Sequence, residues 1–230
     1  MIGIRYMLGK NDLLIYMRFV KSGSSTVTEH LKRNYKWYAN CDMKSVPNDT
    51  RIIAGHLAHY GTHAPYKNRN VKYMTIMRDP ADWLVSVYNH DESRKRTGRS
   101  FIKWCMDGAP NSVLPQNNVK NKMTAFACWL FEAKNLDECL RRLDDCWFVG
   151  ITERLNIDFH YLCEWLGIND NWKNYRIAGQ YDGLEKLKID KLCEVNNELR
   201  EWIYKENPCD MALYNYAKKR NIETRGNLTQ

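Results

Sequence analysis

Three short apolar runs, each followed at once by a polar turn and a helical pattern, constrain this chain more than any other feature. They are Leu13-Leu14-Ile15-Tyr16-Met17-Arg18-Phe19, Val71 to Met77 and Cys146-Trp147-Phe148-Val149-Gly150. Each has the length of a buried strand and is bounded by polar residues. Arg51-Ile52-Ile53-Ala54 is a weaker strand pattern that ends at Gly55-His56. Helical patterns fall between and after them: Val27 to Lys36, a helix near Phe101, Val119 to Ala133, Leu136 to Leu143, Thr152 to Leu166 and Leu184 to Lys205. Two further helices carry start signals. Asp79 is a good N-cap, with Pro80 at the first helical position and Asp82 in the first turn, and that helix runs to about His90. Asn207 caps a last helix, with Pro208 at its first position. Strands alternating with helices predict an α/β fold: a mostly parallel central sheet flanked by helices, with a helical C-terminal third. Right-handed crossovers put the βα turns on one edge of such a sheet, where ligands bind.

At 230 residues the chain suits a single domain, 1–230. Hydrophobic residues at 44% and charged residues at 27% exclude a disordered, collagen-like or coiled-coil chain. No apolar run approaches the ~20 residues of a membrane-spanning helix. Met1 to Lys10 shows no apolar core followed by a cleavage site, so no secretory signal is expected there. The eight cysteines include no Cys-x-x-Cys pair, which argues against a zinc ribbon or a redox motif. The expectation is reduced thiols and a cytoplasmic location. Trp83, Trp104 and Trp129 sit in helical patterns and are expected in the core.

The net charge is +8 and the pI about 9.0. Residues 1–103 hold 18 Lys/Arg against 8 Asp/Glu, and residues 104–230 hold 17 against 19, so the whole surplus lies in the first half. A basic region of this kind suits nucleic acid, an acidic membrane or a small phosphate-rich ligand, and charge alone does not choose among them.

Two segments in that half are built for anions. Lys21-Ser22-Gly23-Ser24-Ser25-Thr26 follows the first strand and precedes a helix. Small residues let backbone N–H groups converge on an anion, and the helix adds its positive end. Ser22, Ser24, Ser25 and Thr26 add hydroxyls, Lys21 adds a charge, and Gly23 gives the backbone room to bend. The Walker pattern is absent, because the lysine precedes the glycine. The second segment is Arg78-Asp79-Pro80, with Ser86 on the helix behind it. Arg78 ends a strand, where its guanidinium can fork around a phosphate. Ser86 lies two helical turns beyond Asp79, on nearly the same face. Two anion sites on neighbouring βα turns suit a ligand with two separated phosphate groups.

With these motifs the chain resembles the sulfotransferases that use 3′-phosphoadenosine 5′-phosphosulfate (PAPS), and locally the carbohydrate branch of the heparan 2-O-sulfotransferase type. The family's loop of Pro-Lys-[Ser/Thr]-Gly-[Ser/Thr]-[Ser/Thr] type matches Lys21 to Thr26, with Val20 where the family has proline. The family's Arg-Asp-Pro, with a serine eight residues after the arginine, matches Arg78-Asp79-Pro80 and Ser86. Gly55-His56, the strand Phe148-Val149-Gly150-Ile151-Thr152-Glu153 and the ending Asp210-x-x-Leu213-Tyr214-x-x-Ala217 are similar too. The resemblance implies a P-loop-like sulfotransferase fold and PAPS as donor, leaving as PAP (3′,5′-ADP), with no metal. It implies Lys21 at the leaving phosphate, with Lys21, Ser22, Gly23, Ser24, Ser25 and Thr26 around the 5′-phosphosulfate. Arg78 and Ser86 would hold the 3′-phosphate, and His56 would be the base that takes the acceptor's proton. A small-molecule or carbohydrate acceptor is expected, with neither nucleic acid nor membrane as partner. Lys173, Arg176, Lys186 and Lys188 fall where the family has a basic loop over the nucleotide, and a solvated charged face explains them equally well.

Other readings compete. His56, His59 and His63 have spacings that suit a metal on a helix, but Gly61 disfavours that helix and no Cys or carboxylate completes the set. A P-loop kinase lacks its lysine position and a Mg²⁺-binding carboxylate after a strand. A nucleic-acid module lacks any recognisable binding motif. Acceptor choice is expected to lie in the loops Tyr60 to Asn70 and Asp91 to Ser100, both basic.

Overall fold

The computed structural model of the protein describes residues 8–35, 38–40, 47, 49–55, 57–107, 120–170 and 191–226. Its centre is a five-stranded sheet in which every neighbouring pair runs parallel, in the order β2-β3-β1-β4-β5. The strands are β1 (Asp12–Met17), β2 (Tyr38–Asn40), β3 (Ile52–Gly55), β4 (Asn70–Met77) and β5 (Cys146–Ile151). The helices are α1 (Ser24–Asn34), α2 (Pro80–Lys95), α3 (Phe101–Met106), α4 (Lys122–Leu130), α5 (Leu136–Asp144), α6 (Leu155–Leu166), α7 (Asn197–Glu206) and α8 (Pro208–Gly226). A single 3₁₀ turn, Thr152–Arg154, joins β5 to α6.

The apolar runs are continuous because both faces of the sheet are covered. Along β1, Leu13, Ile15 and Met17 enter one core layer, with Trp83, Trp104, Phe126 and Leu213 from α2, α3, α4 and α8. Leu14 and Tyr16 enter the opposite layer, with Val27 and Leu31 of α1 and Phe159, Leu162 and Trp165 of α6. All five β1 side chains are 0% exposed, each contributing roughly 1.5–3 kcal/mol of burial. β1 is flanked by β3 on one side and β4 on the other, so the chain reverses direction across the sheet at β1. The crevice at the carboxyl end of β1 is the place where such sheets bind ligands.

Several boundaries differ from the sequence reading. α1 starts at Ser24 rather than Val27, because Gly23 takes the left-handed conformation and reverses the chain one residue earlier. Ser24, Ser25 and Thr26 are thus the first helical turn and not loop. α2 continues past His90 to Lys95, taking in Arg94 and Lys95, which were expected in a surface loop. Two cations in the last turn favour that helix end. Glu92 then receives Thr97 N–H at 3.1 Å and closes it. α6 begins after the 3₁₀ turn at Leu155 rather than at Thr152. α7 starts only at Asn197, capped by Asn196, whose side chain accepts from Leu199 N–H at 2.8 Å. Residues 191–196 are not helical, and the predicted helix from Leu184 to Asp190 lies outside the described residues. β2 had no sequence signal. Trp83 and Trp104 are fully buried as expected, but Trp129 is 47% exposed, its ring 5.5 Å from that of Phe126. Seven cysteines are described, all reduced and buried or half-buried. Among the described residues no helix is long and apolar enough to cross a membrane.

Candidate active site at the β1 and β4 turns

The turn after β1 is held by its carbonyls. Ser22 Oγ donates to Phe19 O at 2.6 Å. Trp83 Nε1 donates to Val20 O at 2.7 Å, Arg78 to Lys21 O at 3.1 Å, and Thr152 Oγ1 to Ser22 O at 2.9 Å. Gly23 O accepts from Thr26 N–H at 3.0 Å. Five consecutive carbonyls are therefore committed within the protein, four of them to side chains. What the turn retains for a ligand is its N–H groups. The first N–H groups of α1 have no acceptor within the helix. Gly23 is the N-cap and has no side chain to supply one, and the first turn holds no acidic residue. That combination, donors available and acceptors tied down, is the chemistry of an anion site.

Two residues of the turn have positive φ, Lys21 at 60° and Gly23 at 73°. A Cβ on Gly23 would lie 2.9 Å from Leu155 Cδ2, so glycine is required both for the conformation and for the space. Lys21 adopts this region at a cost of roughly 1–2 kcal/mol, held there by the bond between its carbonyl and Arg78. Ser22 is fully buried and its hydroxyl proton is used on Phe19, so its backbone is what it can offer a ligand. Ser24 and Thr26 are buried, and the Ser25 hydroxyl accepts from Arg18 at 3.2 Å.

Arg78 follows the last residue of β4, and its bond to Lys21 O joins the two predicted anion elements in one place. Among the described residues it has no carboxylate partner, because the nearby acids are occupied elsewhere. Asp79 caps α2, accepting from Ala81 N–H at 3.0 Å and Asp82 N–H at 3.3 Å. It also takes Arg200 at 2.7 Å and the Tyr204 hydroxyl. Arg200 reaches Asp82 as well, at 2.9 Å, and its guanidinium is held even more firmly protonated by Tyr204 and these two carboxylates. Glu153 accepts Asp79 N–H at 3.0 Å and the Tyr214 hydroxyl at 2.9 Å. The helices α7 and α8 thus occupy the acids beside the site, with one cation, Arg200, and the two tyrosine hydroxyls.

Along α2 every residue from Pro80 to Ser93 is buried except Asp82, Ser86 and His90, which recur every fourth position. Ser86 therefore lies on the one open stripe of the helix, between Asp82 and His90. His90 extends that stripe by a turn. Burial, and then the positive charges of Lys21 and Arg94, push the His90 imidazole down to about 4.

His56 lies outside the described residues, as do Lys173, Arg176, Lys186 and Lys188. Gly55, which ends β3, pairs with Met17 at the same sheet edge. His59 and His63 are half-buried rather than loose surface residues. His59 Nδ1 meets Glu132 at 2.7 Å, and His63 Nδ1 meets the Tyr73 hydroxyl. Among the described residues no three His, Cys, Asp or Glu side chains gather as metal ligands.

Sequence reasoning missed Trp83 and Thr152, which hold the turn's carbonyls, Arg18, which bonds Ser25 in α1, and Arg200, which holds Asp79 and Asp82. For Thr152 and Glu153 a signal existed in the Phe148 to Glu153 block. The single Thr152 hydroxyl proton is shared between Ser22 O and Met77 O, at 2.9 and 3.0 Å, and so ties the β1 turn to the end of β4. The C-terminal block is structural: Asp210 accepts Met123 N–H, Thr124 N–H and the Thr124 hydroxyl at 3.2, 2.7 and 2.7 Å.

A family model described as "Sulfotransferase family" matches residues 5–217. No curated protein sequence matches the chain. Among solved structures, a sulfotransferase from Alicyclobacillus acidocaldarius is 12% identical with a TM-score of 0.49, covering 89% of this chain and 96% of that one. The mouse sulfotransferase SULT7A1, solved complexed with PAP, is 13% identical with a TM-score of 0.46, covering 93% of this chain and 91% of that one. With the family match spanning residues 5–217, the β1 and β4 turns included, the chain belongs to the sulfotransferase family.

Proposed function

We propose that the chain transfers a sulfuryl group from PAPS to a hydroxyl of a small-molecule or carbohydrate acceptor, releasing PAP. One observation carries the reading: five consecutive carbonyls of the β1 turn are committed within the protein, one of them to Arg78, so N–H donors and an arginine are set together for a doubly anionic ligand. PAPS supplies the sulfuryl group and a phosphate leaving group. In-line transfer of this kind asks the protein mainly for position and charge neutralisation. Lys21 stabilises the charge that grows on the leaving phosphate. The N–H groups of Ser22, Gly23, Ser24 and Ser25, with the Thr26 hydroxyl, hold the 5′ end. Arg78 and Ser86 hold the 3′-phosphate, and His56 takes the acceptor's proton, since imidazole titrates near neutral pH.

Calorimetry and a labelled-donor assay test this. The wild-type chain is expected to bind 3′,5′-ADP more tightly than ATP. A search of hydroxylated and amine acceptors with labelled PAPS, read by mass, should find a product gaining one sulfuryl group. Arg78→Ala should weaken 3′,5′-ADP binding by about 2–4 kcal/mol, the scale of losing one side of a charged hydrogen-bonded pair. Unchanged affinity in Arg78→Ala would remove the 3′-phosphate assignment, and ATP binding tighter than 3′,5′-ADP would favour a kinase.

A further inference from the structure

His90 has no place in the roles above. It lies on the open stripe of α2, one helical turn beyond Ser86. It is half-buried and, among the described residues, makes no hydrogen bond or ion pair. Lys21 of the β1 turn and Arg94 of its own helix act on it electrostatically. The segment 191–196, which packs on the neighbouring Asn89 through Cys193, brings Lys191 and Glu194, paired with each other at 3.5 Å. A polar side chain without an internal partner, beside two cations on the ligand-facing stripe of a buried helix, suits an anion and repels a cation. Resting on the PAPS reading, we infer that His90 is a further ligand to the anionic end of the donor nucleotide, one turn along α2 from Ser86.

The chemistry follows from its surroundings. Burial, and then the field of Lys21 and Arg94, keeps the ring neutral near pH 7, with one donor and one acceptor nitrogen. Phosphate charge arriving beside Lys21 reverses that field. Near pH 5 the imidazole lone pair then takes a proton from hydronium or buffer acid in the solvent, and both ring nitrogens become donors. No bond of the nucleotide changes. Binding and protonation are linked reciprocally: each unit by which the nucleotide raises the His90 midpoint is tenfold in affinity for the protonated protein.

The test uses the intact protein with 3′,5′-ADP as probe. Histidine resonances followed by NMR should show the His90 midpoint rising from about 4 by about two units on saturation with 3′,5′-ADP. His90→Gln should weaken 3′,5′-ADP binding about tenfold at pH 5 and by less than twofold at pH 8, relative to wild type at the same pH. A purely structural role predicts a midpoint that ignores the nucleotide and a loss equal at both pH values, and either result overturns the proposal while leaving PAP binding intact. The NMR titration needs no variant, so a poorly folding His90→Gln leaves the test standing. Failure of wild type to bind 3′,5′-ADP at all would instead overturn the PAPS reading, and this inference with it.

Discussion

Lys21 shows how a single residue is set against its own backbone preference. Its φ of 60° suits glycine, yet a lysine stands there. Strain of this kind persists where the surroundings over-determine the conformation. Lys21→Gly is therefore expected to match wild-type stability or exceed it by up to ~1 kcal/mol, while sulfuryl transfer falls at least ~100-fold through loss of a charge at the leaving group. Thermal melting and the labelled-donor assay read the two effects separately. Trp83 makes a second point. Its ring is fully buried core, but its N–H holds Val20 O, the carbonyl of the residue that replaces the family's proline. Trp83→Phe keeps most of the apolar volume and leaves that carbonyl unpaired, a cost of about 1–3 kcal/mol, with weaker 3′,5′-ADP binding as the turn loosens. The pH dependence of His90 has a definite sign. A histidine depressed in the fold is protonated more readily when unfolded, so its contribution is complete above about 6.5 and is lost as pH falls toward 4. Denaturant melts at pH 7 and pH 4.5 should show a smaller loss for His90→Gln than for wild type.

At the scale of elements, the site depends on how helix ends are capped. α1 has a glycine N-cap without a side chain, which leaves its N–H groups for a ligand. Gly23→Ala meets two obstacles, the positive φ and the 2.9 Å approach to Leu155. Pairing it with Leu155→Ala relieves only the second, so the double variant should bind 3′,5′-ADP better than Gly23→Ala alone and still fall short of Leu155→Ala. α4 and α8 cap each other instead. Asp210 takes the first N–H groups of α4, and Asn121 Oδ1 takes Cys209 N–H at 2.9 Å. Asp210→Ala leaves two buried N–H groups and the Thr124 hydroxyl unpaired, and should cost about 3 kcal/mol in a urea melt. Asn207, expected as a capping side chain, uses its amide oxygen on Asn121 N–H and its nitrogen on Ile203 O, at 2.7 Å each. It occupies the cap position while its side chain ties α4 and α7 together.

Across the whole molecule, one sheet serves two apolar layers, and alternate residues of β1 and β4 belong to each. Neither layer keeps a core without the strands of the other. A single cooperative unfolding transition is expected, with calorimetric and van't Hoff enthalpies equal. The excess positive charge of the first half acquires a local meaning at this scale. Asp79, Asp82 and Glu153 are hydrogen-bonded by Arg200, Tyr204 and Tyr214 from α7 and α8, so the second half holds the carboxylates beside the β1 turn. Most of the remaining Lys and Arg of residues 1–103 have no role in the site described.

The sequence by itself determined four of the five strands, β2 excepted, their alternation with helices and the sheet edge where the two predicted anion elements lie. Those follow from local apolar runs, from Gly23 and from the Asp79-Pro80 start signal, which act over a few residues. It also placed Ser86 two helical turns beyond the N-cap Asp79, since helical period is a property of the chain alone. Only the tertiary structure decided how the β1 turn is held open to an anion. Trp83, Arg78 and Thr152 reach its carbonyls across 63, 57 and 130 residues of chain. No local pattern encodes such bonds, because they exist only once the parallel strands have brought β4 and β5 alongside β1.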